Sequence, residues 1–375
     1  MHSHLTRIRL ATVTALALPI LAVAASPGSP AAAQAGSARV VTAYVLNGGA
    51  VTPINTVTNK ALKQIPTGGG SGLMVMTPNG KTVYVAGSDN GPAVLPISTA
   101  TNKAGTPILV ARTPSALGVT PHSKTLYVVD QDSNNVDAIR TATNQVVGGF
   151  ETGEVPVAIA VTPNATSGYV ANFGDDTVTP FTVASNTSGG PITVTSDPIG
   201  VAITPDSKTA YVIGVAFDGV TRTVTPIRTA TNKVLKPVSV GTGPASITPS
   251  EIAFTPDSKT AYVTTDQVVT PINTATNRPG KLIKVPGGVI GITPDGKTAY
   301  VLAGSGTVTP INTATNKPLK PIHVGTSANG IAFTPNGKTA YVTSSLGVTP
   351  INIATNKAGK LIKVVGGAGL IVITP

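Results

Sequence analysis

Three groups of residues carry side chains from which a site could be built. Arg112, Glu154 and Asp197 stand eight, eight and seven residues before recurring Thr-Pro pairs at Thr120, Thr162 and Thr204. One arginine and two carboxylates, if brought together, could bind a small polar ligand or supply acid–base chemistry. Glu251 closes a stretch, Thr242 to Glu251, that is inserted relative to neighbouring segments, and it joins this group. The run from Asp130 through Asp132 and Asn134 to Asp137 alternates oxygen-bearing side chains as a calcium loop does. It lacks the central Gly and the bidentate Glu of such a loop, so a plain turn is expected. His122 and His323 lie far apart with no carboxylate partner in view, which argues against a triad or a histidine-held metal. With no Cys and no Trp, thiolate catalysis, zinc–thiolate sites, disulfides and tryptophan stacking platforms are excluded. No catalytic residue is assigned, and neither a metal nor a cofactor is expected.

The elements that must position these residues are strands. Among 375 residues there are 40 Gly and 32 Pro, a density that interrupts any long helix. Only 11% of residues are charged while 41% are hydrophobic, which favours a packed fold over disorder.

Residues 1–35 read as a secretory leader. Arg7 and Arg9 precede an apolar run from Leu10 to Ala25, and Ala33-Gln34-Ala35 has the small-x-small form of a cleavage site. That run is short for a membrane span, and Pro19 interrupts it. Cleavage is favoured over retention as an anchor, which leaves residues 36–375 as one domain without a transmembrane segment. The expected location is extracytoplasmic: secreted, or held at the cell wall.

The rest of the chain repeats. Tyr-Val recurs at Tyr44, Tyr84, Tyr127, Tyr169, Tyr211, Tyr262, Tyr300 and Tyr341, which are all eight tyrosines of the protein. Thr-Pro precedes the last seven of them by seven residues and recurs at Thr374-Pro375. A third anchor of the form Val-Thr-Pro-Ile-Asn-Thr-Ala-Thr-Asn places Asn eight positions after its Val in every copy. Each unit predicts four short strands: in the last full copy Gly330 to Thr334, Thr339 to Thr343, Val348 to Ile353 and Lys360 to Val364. Four antiparallel strands in about 42 residues match one propeller blade. A solenoid would need polar capping units at its ends, and none is present.

The first copy lacks the first strand of the unit, and the chain ends on such a strand, Gly369 to Pro375. The two fragments make one blade, which closes the ring and hides its edges. The fold class is therefore all-β: a propeller of four-stranded antiparallel blades, eight preferred and seven the alternative, closed by a C-terminal inner strand.

These Tyr-Val strands, the Val-x-x-Ile-x-Thr-Ala-Thr-Asn anchors and the Thr-Pro-Asp-Gly-Lys turns resemble the YVTN-repeat, YncE-like bacterial β-propeller family over residues 40–375. The resemblance implies an exported propeller and names no ligand. The Asn that follows Tyr-Val-x in that family is kept here only at Asn47 and Asn172.

Pro53, Pro96, Pro180, Pro226, Pro271, Pro310 and Pro350 fall inside the third strand, where a proline cannot donate to the ladder. A bulge is expected at that column; the eighth copy has Ala138 there.

Antiparallel order puts the first–second and third–fourth turns at one end of each blade. Lys81, Lys124, Lys208, Lys259, Lys297 and Lys338 form a basic face there, and acidic residues gather at the other end. Such a face suits an anionic cell-envelope polymer or another protein. Nucleic acid is disfavoured by export and by the lack of any helix to enter a groove. At the opposite end, the connections into the first strands border the central channel and carry Arg112, Glu154, Asp197 and Glu251 to its mouth. The expected protein is a monomeric, non-enzymatic binding or scaffold module of the envelope. The alternatives are a hydrolase or lactonase-type propeller acting at the mouth and an accessory protein of extracytoplasmic redox metabolism.

Overall fold

The computed structural model describes residues 40–69, 72–88, 91–194, 197–215, 221–242 and 251–375, and no helix occurs among them. The leader expected at 1–35, residues 216–220, and residues 243–250 of the inserted stretch lie outside the described residues, as does Asp89. Eight antiparallel sheets follow one another along the chain, so the ring has eight blades and not seven. Their second strands, which number blades 1 to 8, are Thr42–Asn47, Thr82–Ser88, Thr125–Asp130, Ser167–Asn172, Thr209–Val215, Thr260–Thr264, Thr298–Ala303 and Thr339–Ser344.

Closure is made by the C-terminal strand Ile371–Ile373, which pairs with Thr42–Asn47 as the inner strand of blade 1. The pairing continues beyond the strand, where Leu46 N donates to the Leu370 carbonyl and Gly369 N to the Leu46 carbonyl, each at 2.9 Å. The Thr-Pro turn shows the same logic. In blade 2, Thr77 N donates to the Thr82 carbonyl and Thr82 N donates to Thr77 Oγ1. Thr374 repeats both bonds with Thr42, although 332 residues separate them. One turn of the repeat is thus shared between the two ends of the described chain.

The core is divided into eight. Each apolar cluster draws its residues from two adjacent blades, so every junction is a separate sheet-on-sheet sandwich. Each repeated Tyr lies at one junction, essentially without solvent contact. Its hydroxyl donates to the Oδ1 of the repeated Asn on the next blade, at 2.5–2.7 Å in all eight cases. Those eight Asn residues all adopt left-handed backbone, φ 52° to 56°, which Asn tolerates better than most side chains. Burial raises most of the phenols to about 12, so they remain neutral donors at physiological pH.

The third-strand prolines cut the outer strand in two. Pro53 is opposite Tyr44, and its carbonyl accepts from Leu62 N of the outer strand. A residue's N–H and C=O point to the same side of a strand, so the donor that proline lacks also faces outward. The outer chain answers with a bulge: residues 62–64 bow past 52–53 between the pairs Ile54↔Ala61 and Val51↔Ile65. All seven prolines accept the same carbonyl bond at 2.7–2.8 Å. The expected single outer strand from Lys360 to Val364 is accordingly two pieces, Lys357–Ala358 and Ile362–Lys363. Blade 3, with Ala138, absorbs its bulge at Val147 and keeps an unbroken outer strand, Gln145–Glu151.

Candidate functional site

The segments that lead into the inner strands of blades 3 to 5 hold Arg112, Glu154 and Asp197. Each is fastened by its backbone to a neighbouring hairpin. Ahead of Arg112, Ala111 N donates to Asp137 Oδ2 at 3.1 Å, and after it the Thr113 carbonyl accepts from Gln131 N at 3.4 Å. Glu154 N donates to Asp175 Oδ2 at 3.1 Å. Val155 N donates to Asn134 Oδ1 at 2.9 Å, and Asp197 N to Asp176 Oδ1 at 2.7 Å. The last two are equivalent positions in successive blades. Val155 and Asp197 both take left-handed backbone just before a proline, φ 53° and 50°, and the turn of the preceding blade caps both amides. For a β-branched residue such as Val155 that conformation is strained.

The acidic turn residues therefore act first as caps for their neighbours' amides. Arg112 and Glu154 are exposed, and no ion pair joins Arg112 to Glu154 or Asp197 among the described residues. The ion pairs present there lie at the other end, between Lys208, Lys259 and Lys297 and the Asp two residues before each, at 3.4, 3.4 and 3.8 Å. Exposed pairs of this kind add little stability. The six lysines of the basic face are all exposed.

Glu251 begins the inner strand of blade 6 and is 7% exposed. Its Oε2 accepts from Ile290 N of blade 7 at 2.8 Å, and burial pushes its carboxyl up to about 8. In this position it fastens one blade to the next.

A cavity of about 380 Å³ opens between blades 2 and 3, lined by Gly87, Gly91, Pro92, Arg112, Thr113, Pro114 and Asp132. The structure thus sets Arg112 beside Asp132, a residue the sequence offered only as part of a turn, while Glu154 and Asp197 stand outside this lining.

Behind the wall of the cavity lies Asp130, fully buried, with neither carboxylate oxygen in a hydrogen bond. Burial, reinforced by the neighbouring Asp137 charge, raises it to about 7, against a smaller opposing pull from the Arg112 and Ala111 amides. The repeat contains the signal that could have marked it. Asp130 is three residues after its Tyr, the column that holds Asn47 and Asn172. Asn47 donates its amide to the Val365 carbonyl, and Asn172 donates to Thr177 and Thr179 Oγ1 at 2.9 Å. An Asp at this buried column has no N–H to give.

His122 and His323 are exposed, and no group of three metal-ligating side chains occurs among the described residues.

Charge is also unevenly distributed around the rim. The outer segments of blades 5, 6, 7, 8 and 1, residues 233–240, 278–285, 317–324, 357–364 and 60–66, carry twelve Lys and Arg and no Asp or Glu. Those of blades 2 to 4 carry one Lys, Lys103, and one Glu, Glu151. Nine of the fifteen acidic residues fall between Asp89 and Asp197. The polarity expected from face to face therefore also runs across the disc. Outer segments touch their neighbours at the 5–6, 7–8 and 8–1 junctions, so the basic belt consists of two contiguous stretches, blades 5–6 and blades 7–8–1. Leu62, Leu282 and Leu319 stand exposed among its lysines.

No family model and no curated protein matches the sequence. Among solved structures, the chain is similar to hydrazine synthase of Kuenenia stuttgartiensis, with TM-score 0.60, 20% identity, and 78% of this chain and 95% of that one covered. It is similar to the dihydro-heme d1 dehydrogenase NirN in complex with DHE, with TM-score 0.70, 15% identity, and coverage of 89% and 75%. It is also similar to AztD of Citrobacter koseri, with TM-score 0.66, 12% identity, and coverage of 89% and 98%. At such identities the likeness shows the propeller fold alone.

Proposed function

We propose that this chain is an exported, non-enzymatic propeller of the YVTN-repeat type that serves as a binding scaffold in the cell envelope, holding a linear polyanion along its basic edge. The observation that carries the reading is the belt on blades 5 to 8 and 1, which is all of one sign while blades 2 to 4 are nearly neutral at the same radius. A linear polyanion running along neighbouring blades would meet two or three cations per blade and release its counterions. Exposed leucines between the lysines add apolar contact for the polymer's uncharged parts.

The test is binding of the full chain to purified anionic envelope polymer across a salt series. Tight binding at low salt is expected to weaken steeply as salt rises. It should be lost in Lys236→Glu/Lys281→Glu/Lys320→Glu and kept in Lys103→Glu. Absence of binding at low ionic strength overturns the polyanion reading. Hydrolysis of lactone or ester substrates that vanishes in Glu154→Gln or Asp197→Asn overturns the non-enzymatic one.

A further inference from the structure

The cleft between blades 2 and 3 is a different place from the belt, and its chemistry is different. Among the described residues one cation and one anion, Arg112 and Asp132, line the same 380 Å³ cavity. Both are exposed and form no ion pair, so more than 4.0 Å separates guanidinium nitrogen from carboxylate oxygen. Opposite charges that face one cavity without meeting are complementary to a ligand that carries both signs. A carboxylate can take the planar fork of Arg112. An ammonium group on the same small molecule can reach Asp132.

The wall is held in advance. Ala111 N is bonded to Asp137 Oδ2 and the Thr113 carbonyl to Gln131 N, so the backbone on both sides of Arg112 is fixed while its side chain stays free. Holding the main chain before binding removes part of the ordering cost that a ligand would otherwise meet. On the blade 2 side the described lining residues are Gly87, Gly91 and Pro92; both glycines have positive φ, 94° and 115°, and a Cβ on Gly91 would meet no atom within 4 Å. The corresponding connections into blades 2, 7 and 1 read Gly68-Gly69-Gly70, Gly287-Gly288 and Gly366-Gly367 and carry no charge there, while those into blades 4 and 5 carry the acids Glu154 and Asp197 and no cation.

We propose that this cleft binds a small zwitterion, of the size of a free amino acid or a dipeptide, with its carboxylate on Arg112 and its ammonium on Asp132.

The experiment is a calorimetric titration of the full chain at low salt with glycylglycine, alanine, acetate and methylammonium. Saturable binding of a zwitterion is expected, with each single-charge probe weaker by about tenfold or more. Arg112→Met and Asp132→Asn should each weaken the zwitterion by about tenfold, and Glu154→Gln, outside the cavity lining, should not. Both changed side chains are exposed, and circular dichroism of each variant verifies that the fold is kept. Three results overturn the proposal: no saturable binding of either zwitterion at about 10 mM; acetate equal to the zwitterions and indifferent to Asp132→Asn; or undiminished zwitterion binding in the Arg112→Met/Asp132→Asn double variant. The belt variants leave this titration unchanged, so either reading can fail without the other.

Discussion

The Tyr341 hydroxyl of blade 8 donates to Asn59 Oδ1 of blade 1 at 2.6 Å, across 282 residues of sequence. It also reaches the Thr56 carbonyl at 3.0 Å. The same Tyr–Asn bond recurs at every junction, but only this one joins the last blade to the first.

Tyr341→Phe removes the hydroxyl and leaves the shape of the junction intact. It is expected to lower unfolding stability by about 1 kcal/mol, the usual worth of one such bond. Tyr341→Ala also opens a cavity in the 8–1 sandwich and should cost about 3–5 kcal/mol. Tyr169→Phe, at an internal junction, should match Tyr341→Phe in equilibrium denaturation, because its Asn232 partner has the same geometry. A Tyr341→Phe protein as stable as the parent would show that the closing bond contributes nothing.

A chain that ends at Ala368 loses the inner strand of blade 1 and the Thr374 turn bonds to Thr42. The second strand of blade 1 then presents an unpaired edge, which recruits other chains. The expected outcome is a lower melting temperature and self-association in size-exclusion chromatography. Unchanged melting and elution would refute strand-mediated closure.

Asp130 gives the stability curve a direction in pH. In the fold it keeps its proton up to about pH 7, against a free-aspartate value of 3.8. Between these values the unfolded chain has released a proton that the folded one still holds. The stability that Asp130 contributes therefore falls as pH rises from about 4 through 7, and that loss is complete above the upper value. Asp130→Asn supplies the residue found at the same column in Asn47 and Asn172. It should stabilise by on the order of 2 kcal/mol near pH 8 and by far less near pH 4. Chemical denaturation at both pH values decides the matter; an equal gain at each would remove the buried charge as the cause.

Ala138→Pro carries the third-strand rule into the blade that escaped it. Its new ring removes the donor that faces Gly148 and should break the continuous Gln145–Glu151 strand into two pieces like its neighbours. Amide exchange at Val147 to Phe150 should speed up by an order of magnitude or more, with a cost of about 1–3 kcal/mol. Exchange left as slow as in the parent would show that the proline column does not set the length of the outer strand.

The repeat makes much of the fold legible in the sequence. Thr-Pro turns, Tyr-Val strands and terminal Asn residues act over a few positions, through hydrogen bonds and alternation that any copy repeats. The split outer strand was half legible: the prolines announced a bulge, but which neighbour they deprived depended on the direction in which their carbonyls point. The candidate site was legible only at Arg112. Its connection was visible as charged among glycine-rich ones, yet sequence offsets aligned it with Glu154 and Asp197 rather than with Asp132.

The strand order within each blade and the way the ring shuts follow from short-range patterns counted along one chain, and those patterns preferred eight blades, which the eight sheets then settled against seven. Which side chains meet across a junction was set instead by the packing of neighbouring blades. It paired each Tyr with the Asn of the following blade, buried Asp130 behind the segment that carries Arg112, and opened a cavity between Arg112 and Asp132. The physical reason is that packing two twisted sheets face to face fixes side-chain distances through the angle and offset between blades, and no spacing within a single repeat encodes those quantities.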